Sequence, residues 1–266
     1  MGINVALDGP SGAGKSTIAK AVAKKLEYVY VDTGAMYRSI AYYVISKGAD
    51  LSDPEQIKPL LADISIKLCY TEAGQRVMLN DEDVSDKIRT PEISMGASKV
   101  SAIPEVREFL LELQKNIAKE NNIIMDGRDI GTVVLPNADV KIFLTAAPEA
   151  RAERRFKELQ EKGDKSTYDE VLQDIIQRDY NDTHREIAPL KKADDAVEVD
   201  STELTLEESV EAIYKVITDK TKKKERKIKE IMPVRPVKKE HRLGHFHMFW
   251  YTVLRYIVIG LYHLYF

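Results

Sequence analysis

One cysteine in 266 residues, Cys69, leaves no partner for an intrachain disulfide and no thiolate set for a zinc site. That scarcity agrees with a reducing compartment, and the cytoplasm is the expected location. Within the alternating run Ile64 to Tyr70, Cys69 is expected as a small core residue. No basic stretch followed by an apolar run precedes residue 9, so no signal peptide is expected, and no internal repeat is present. Residues 1–219 are also poor in positive charge. They carry a net charge of −12, whereas residues 220–242 carry +8. So acidic a body argues against broad phosphate contacts with a nucleic-acid polymer, and any anion site in it must be local.

What is there begins with GPSGAGKST, Gly9 to Thr17, after the strand-like run Ile3 to Leu7. It fits G-x-x-x-x-G-K-[ST] in full, through Gly9, Gly14, Lys15 and Ser16. Glycines let the backbone turn its N–H groups inward on phosphate oxygens, and the helix that follows adds the positive end of its dipole. Gly9, Pro10, Ser11, Gly12, Ala13, Gly14, Lys15, Ser16 and Thr17 are therefore expected to bind ATP. Lys15 supplies a mobile charge to the β/γ-phosphates, and the Ser16 hydroxyl can ligate the Mg²⁺ that bridges them. A glycine-rich turn that binds nothing is the bland alternative, and the strand-before, helix-after context disfavours it.

Helical spacing from Lys15 to Leu26 and a second strand at Tyr28 to Val31 complete a βαβ unit, which implies a parallel sheet covered by helices on both faces. A helix from Ala35 to Ser46 follows, with another opening at Asp53-Pro54. Alternation at Ile64, Ile66 and Leu68, with a turn at Gly74 and a return at Val77 to Leu79, predicts a small antiparallel insertion. Further helices are expected at Pro104 to Glu120, Pro148 to Glu161, Tyr168 to about His184 and Thr205 to Ile217. The remaining strands are Asn122 to Met125, Val140 to Leu144 and Ala196 to Val199. The fold class is α/β, a P-loop NTPase-type parallel sheet with a small antiparallel insertion and a helical lid.

Three clusters address the acceptor of a phosphoryl group. DTGAMYR ends the second strand, and ligands gather at strand carboxyl ends in such sheets, so Arg38 can hold a second phosphate. DGRDIGT follows the strand at Ile123 to Met125. Asp126 is a candidate for the Mg²⁺ shell, and Arg128 and Asp129 would be costly beside strand ends without a ligand or mutual pairing. Arg151, Arg154 and Arg155 share one helix face, and Arg178, Asp182 and Arg185 share one face of the next. Joined by Gly163-Asp164-Lys165, these helices form a lid over about 148–185 that would close cations over the triphosphate. On that reading Arg151 binds ATP, and Arg154 and Arg155 act on the developing charge. A salt-bridged surface face with Glu149, Glu153 and Glu158 is the alternative.

Residues 2–217 resemble a bacterial-type cytidylate kinase, a nucleoside monophosphate kinase. The resemblance rests on DGPSGAGKST, DTGAMYR, VSDKIRTPEISMGASKVSAIPEVR, DGRDIGTVVLPNADVKIFL and RDYNDTHREIAPL. It implies transfer of the γ-phosphoryl of ATP to CMP or dCMP with Mg²⁺, with an insertion at about 63–100 in the monophosphate-binding region; a monomer is expected. It implies that Arg38 and Arg128 hold the CMP phosphate and that Ser98, Arg107 and Asp129 face the cytosine. Arg178, Asp182 and Arg185 would meet the sugar and phosphates, and Thr33 stands where the family often has Ser. Cytosine offers an amino donor at N4 and acceptors at N3 and O2, which a carboxylate and a guanidinium would match. Other small-molecule kinases with the same loop, and a nucleotide-dependent switch recruited to membranes, remain the alternatives.

Residues 220–266 depart from that pattern. They hold four of the five histidines, the only tryptophan and eight of the twenty aromatic residues. His245 to Phe266 approaches membrane-spanning length, but Arg255 sits at its middle, where insertion is penalised by about 2.5–3.5 kcal/mol. A helix lying in an anionic membrane interface is the expected form, attracted through the basic linker. The segment resembles, in loose composition only, the opening of bacterial lysophosphatidic acid acyltransferases. An extension with no function is the alternative.

Overall fold

The structure, a computed structural model, describes residues 2–71, 74–161 and 163–231. In chain order, β1 (Asn4–Asp8) leads into α1 (Lys15–Leu26), then β2 (Val29–Asp32) into α2 (Thr33–Ser46) and α3 (Pro54–Leu61). The antiparallel strands β3 (Ile66–Thr71), β4 (Gly74–Leu79) and β5 (Glu82–Asp83) follow, and then the helices α4 (Pro91–Val100) and α5 (Pro104–Glu120). The chain closes with β6 (Ile123–Gly127), β7 (Val140–Thr145), α6 (Pro148–Glu161), α7 (Tyr168–His184), β8 (Val197–Asp200) and α8 (Leu206–Ile231).

β1, β2, β6, β7 and β8 form one all-parallel sheet in the order β2-β6-β1-β7-β8. Its central strands β1 and β6 are buried on both sides, which is why both faces are covered. Val5, Leu7, Ile124, Ile142 and Leu144 pack under α1 and the α8 residues Ile213 and Ile217. Ala6, Val31, Ile123 and Met125 point the other way, into a larger core with α2, α4, α5 and the antiparallel insertion. The α6–α7 pair has its own small core of Ala152, Val171 and Ile175. The chain passes from β1 to the edge strand β2, returns to β6, and then crosses β1 to β7 and β8, so the carboxyl ends of β1, β2, β6 and β7 surround one crevice where loops can meet a ligand.

Several expectations need correction. Cys69 is exposed, because it shares strand parity with Ser65 and Lys67 while Ile64, Ile66 and Leu68 face inward. Residues 91–100 form a helix that the alternating pattern upstream gave no reason to expect. It is started by Thr90, whose hydroxyl accepts from the Ile93 amide, and by Pro91 in the first turn. α8 continues past Ile217 to Ile231, since Lys, Glu and Thr there carry no breaker before Pro233, and the compact body runs to Glu225. Among the described residues no helix is long and apolar enough to cross a membrane. The interfacial helix expected over 245–266 lies outside the described residues.

Candidate active site

The phosphate loop is shaped by close approach. Gly9 lies at φ 152°, where a Cβ would sit 1.9 Å from the Leu144 carbonyl oxygen, and Gly14 at φ 83° is the N-cap of α1. No side chain caps α1, so the first amides of the helix are left to a ligand. Lys15 is buried, and its Nζ donates to the Pro10 carbonyl at 2.6 Å. Burial, followed by repulsion from Arg128, pulls its pKa well below the usual lysine range. Triphosphate beside it would reverse that effect.

Asp126 ends β6 at the centre of the crevice. Ser16 Oγ donates to its Oδ2 at 2.9 Å and the Tyr30 hydroxyl to its Oδ1 at 3.0 Å. Burial, with Asp32 nearby, pushes its carboxyl up to about 6. A hydroxyl and an under-compensated carboxylate are hard oxygen donors that suit Mg²⁺. Among the described residues no group of three or more His, Cys, Asp or Glu could hold a metal, so phosphate oxygens would have to complete the shell.

The acceptor side is a lattice of buried ion pairs. Arg38 Nη2 donates to Asp32 Oδ2 at 3.0 Å, and Arg128 Nε to Asp182 Oδ2 at 2.8 Å. Arg107 donates to Asp129, and Arg185 Nη2 lies 3.6 Å from the other oxygen of the same carboxylate. Both arginines also reach Ser101, through its carbonyl and its hydroxyl. Ser98 Oγ donates to Asp182 Oδ1 at 3.4 Å. Burial opposes ionisation of Asp182, yet Arg128 and Arg178 hold its carboxyl below the usual range. Arg178 has no hydrogen-bond partner for its buried Nε, and burial beside Arg128 pulls it down to about 10. An anion placed here would relieve that crowding of cations. The turn after Asp129 is a wide π-type turn, Ile130–Val134, which aims Asp129 inward. Asp8 anchors it by accepting from the Ile130 and Gly131 amides at 2.8 and 2.7 Å.

One pocket of about 280 Å³ joins the two sides, lined by Lys15, Ser16, Arg38, Ser98, Arg107, Asp126, Arg128, Asp129, Arg178, Asp182 and Arg185 among others. The sequence profile described as "Cytidylate kinase" matches residues 5–219. The chain belongs to the cytidylate kinase family. A cytidylate kinase of Carboxydothermus hydrogenoformans is 50% identical over 215 residues, covering 81% of this chain and 97% of that protein. One from Caldicellulosiruptor saccharolyticus is 52% identical over 219 residues, again covering 81% and 97%. Among solved structures, a shikimate kinase from Bacteroides thetaiotaomicron matches at 17% identity and a TM-score of 0.41, covering 81% of this chain and 98% of that one.

In this cytidylate kinase family member, the acceptor residues expected from the sequence come together, from Thr33 and Arg38 to Arg178, Asp182 and Arg185. Thr33 Oγ1 donates to the Asp126 carbonyl at 2.7 Å, tying the start of α2 to β6. Of the loop, Ser11, Gly12, Gly14, Lys15, Ser16 and Thr17 line the pocket. Gly9, Pro10 and Ala13 contribute through backbone shape, Ala13 being fully buried. The lid arginines have partners elsewhere in this structure. Arg154 Nη2 is spent on the Ser201 and Thr202 carbonyls at 2.5 and 3.3 Å, and Arg155 pairs with Glu158 at 3.1 Å. Neither lines the pocket: Arg154 reaches the residues just after β8, and Arg155 reaches Glu158, which does line it. Arg151 is buried against the loop backbone instead of open to a nucleotide. Sequence reasoning missed Tyr30, Asp32, Tyr37 and Ser101. Asp32 and Tyr37 lie inside DTGAMYR, and Ser101 is one helical turn from Ser98, so both signals were within reach. Nothing local marks Tyr30 as the partner of Asp126, 96 residues away.

Proposed function

We infer that this chain transfers the γ-phosphoryl group of ATP to CMP or dCMP in a direct in-line step. The observation that carries the reading is the Asp129 carboxylate, held between Arg107 and Arg185 on the acceptor side of the same pocket as Lys15. Flanked by two arginines, the Asp129 carboxylate offers an acceptor suited to the N4 amino group of cytosine, while the Arg107 guanidinium suits the ring acceptors. Uracil would turn an oxygen toward that carboxylate and be rejected. Arg38, Arg128 and Arg178 orient the monophosphate, whose oxygen is already ionised near neutral pH, so no strong general base is needed. Lys15 and the loop amides stabilise the charge that develops on the transferred group. Mg²⁺, held by Ser16 and Asp126 together with the phosphates of ATP, would supply further charge neutralisation when bound. The functional unit is residues 1–219, with 63–100 on the monophosphate and 148–185 closing over the donor.

The test is ADP release with CMP, dCMP, UMP and AMP as acceptors. Turnover that requires a cytidine monophosphate is expected. Turnover with UMP equal to that with CMP would defeat the base assignment, and ADP release indifferent to any acceptor would favour a nucleotide switch.

For residues 220–266 we propose attachment of an otherwise cytoplasmic enzyme to anionic membrane. Lys222, Lys223 and Lys224 are exposed on α8, beyond the end of the family match, in support of that reading. Co-sedimentation with phosphatidylserine vesicles, compared with a chain ending at Ile217, which lacks these lysines, checks it. Equal pelleting of the two removes it.

A further inference from the structure

Arg151 is 2% exposed, yet it faces the back of the phosphate loop and not the pocket. Its Nε donates to the Ala146 carbonyl at 2.9 Å, at the end of β7. Its Nη1 donates both to the Ser11 carbonyl at 2.9 Å and to Asp179 Oδ1 at 3.0 Å, and its Nη2 to Asp179 Oδ2 at 2.5 Å. Gly12, at φ 76°, takes a backbone conformation that other residues rarely adopt and brings the loop beside the Arg151 side chain. One planar guanidinium thus joins the donor loop, a sheet strand and α7 through a fork-to-fork carboxylate pair.

α7 is the helix that also carries the acceptor contacts. Arg178 precedes Asp179 in sequence, and Asp182 is less than one turn away, holding Arg128 at 2.8 Å and Ser98 at 3.4 Å. At 100° per residue, Asp179 lies about 100° around the helix from Arg178, so one side of α7 grips the loop while the adjoining side lines the pocket. A shift of the Ser11 carbonyl as the loop closes on phosphate would pass through Arg151 and Asp179 to the angle of α7.

We propose that Asp179 is a positioning residue that, through Arg151, couples occupancy of the phosphate loop to affinity at the acceptor site. This inference rests on the phosphotransfer reading, in which two nucleotides share the pocket. Asp179 touches neither nucleotide. Its effect appears as synergy between them and not as a lost contact.

The experiment measures the Kd of CMP by titration calorimetry, with and without a Mg²⁺-bound non-hydrolysable ATP analogue. The proteins are wild type, Asp179→Ala, Asp179→Asn, Asp179→Glu, Arg151→Ala and the Arg151→Ala/Asp179→Ala double variant. For wild type the analogue is expected to tighten CMP by a factor within the usual coupling range of about 5–150. In Asp179→Ala and Asp179→Asn that factor falls to within about twofold of one, a readout that loss of stability alone does not move. Asp179→Glu restores part of it, and the double variant loses no more than Arg151→Ala. Asp179→Asn, which keeps size and one acceptor oxygen, carries the test if the alanine variant unfolds. A wild-type factor of one overturns the proposal, as does an unchanged factor in the variants. So does an Arg151→Ala variant that loses analogue affinity while Asp179→Ala keeps it, since that would make Arg151 a direct ATP ligand. A wild type that neither binds nor phosphorylates CMP overturns the phosphotransfer reading as well. One that phosphorylates CMP while its variants keep full synergy overturns only the coupling role.

Discussion

From Gly9 to Thr17 the donor half is one unbroken run that grips by backbone, with Lys15 as its main charged side chain. The acceptor half draws Arg38 from α2, Ser98 from α4, Arg107 from α5, Asp129 from the turn after β6, and Asp182 and Arg185 from α7 and its end. The first depends on φ angles that only glycine adopts cheaply, so its chemistry is local and its tolerance of substitution is low at a few points. The second depends on buried ion pairs between residues far apart in sequence, so its chemistry is electrostatic. It can be tuned one side chain at a time. Asp8 stands between the halves, ending β1 just before the loop while its carboxylate fixes the turn that carries Asp129.

Lys15→Ala should strike hardest, since it removes the charge that acts on the transferred group. A fall in kcat of about 10²–10³-fold is expected, by analogy with the loss of one preorganised donor. Steady-state ADP release on a protein with unchanged circular dichroism checks it, and near-normal turnover would dissolve the distinction between the halves. Asp129→Asn should lower kcat/KM for CMP by about 10²-fold and narrow the gap between CMP and UMP, because Arg107 and Arg185 lose their shared counter-charge. An equal loss of ATP affinity would show that the acceptor half is not separable.

Asp8→Asn sharpens the comparison through pH. Burial raises the Asp8 carboxyl to about 6 in the folded chain, above the ordinary 3.8. A raised folded-state value means that its contribution is fully present below pH 3.8 and is lost as pH rises through about 6. Wild type should therefore gain roughly 1 kcal/mol of stability relative to Asp8→Asn from pH 7 to pH 5. Urea melts at the two pH values measure it, and a relative loss by wild type on acidification would be the wrong sign. The smallest effect is expected at Arg155→Ala, with kcat/KM within about twofold of wild type, as for other exposed ion pairs. A tenfold loss would mean that α6 swings this guanidinium into the site during turnover.

Much of this was legible beforehand because it was contiguous. The loop announces itself in nine residues, and DTGAMYR and DGRDIGT sit where strand ends place them. Strand and helix spacing also foretold the parallel sheet. Other features were hidden for particular reasons. Cys69 was misread because a polar–apolar alternation says which residues share a face, and Cys69 shares its face with Lys67. Residues 91–100 escaped notice because Ser94, Gly96, Ala97 and Ser98 blur the apolar stripe that marks a helix. Helical spacing put Arg151, Arg154 and Arg155 together, yet on α6 each reaches a different neighbour: Asp179, the Ser201 carbonyl and Glu158.

By itself, then, the sequence determined the phosphate loop, the parallel sheet and the cast of charged residues, since φ preferences, glycine placement and apolar periodicity act over a few neighbouring residues. Only the tertiary structure decided which charges meet. Arg128 and Asp182 are 54 residues apart and Arg107 and Asp129 are 22, and helix packing sets their pairing. It also turned Arg151 from the pocket to the back of the loop. A buried guanidinium must satisfy its donors wherever carbonyls and carboxylates converge, and spacing along one helix cannot say where that will be.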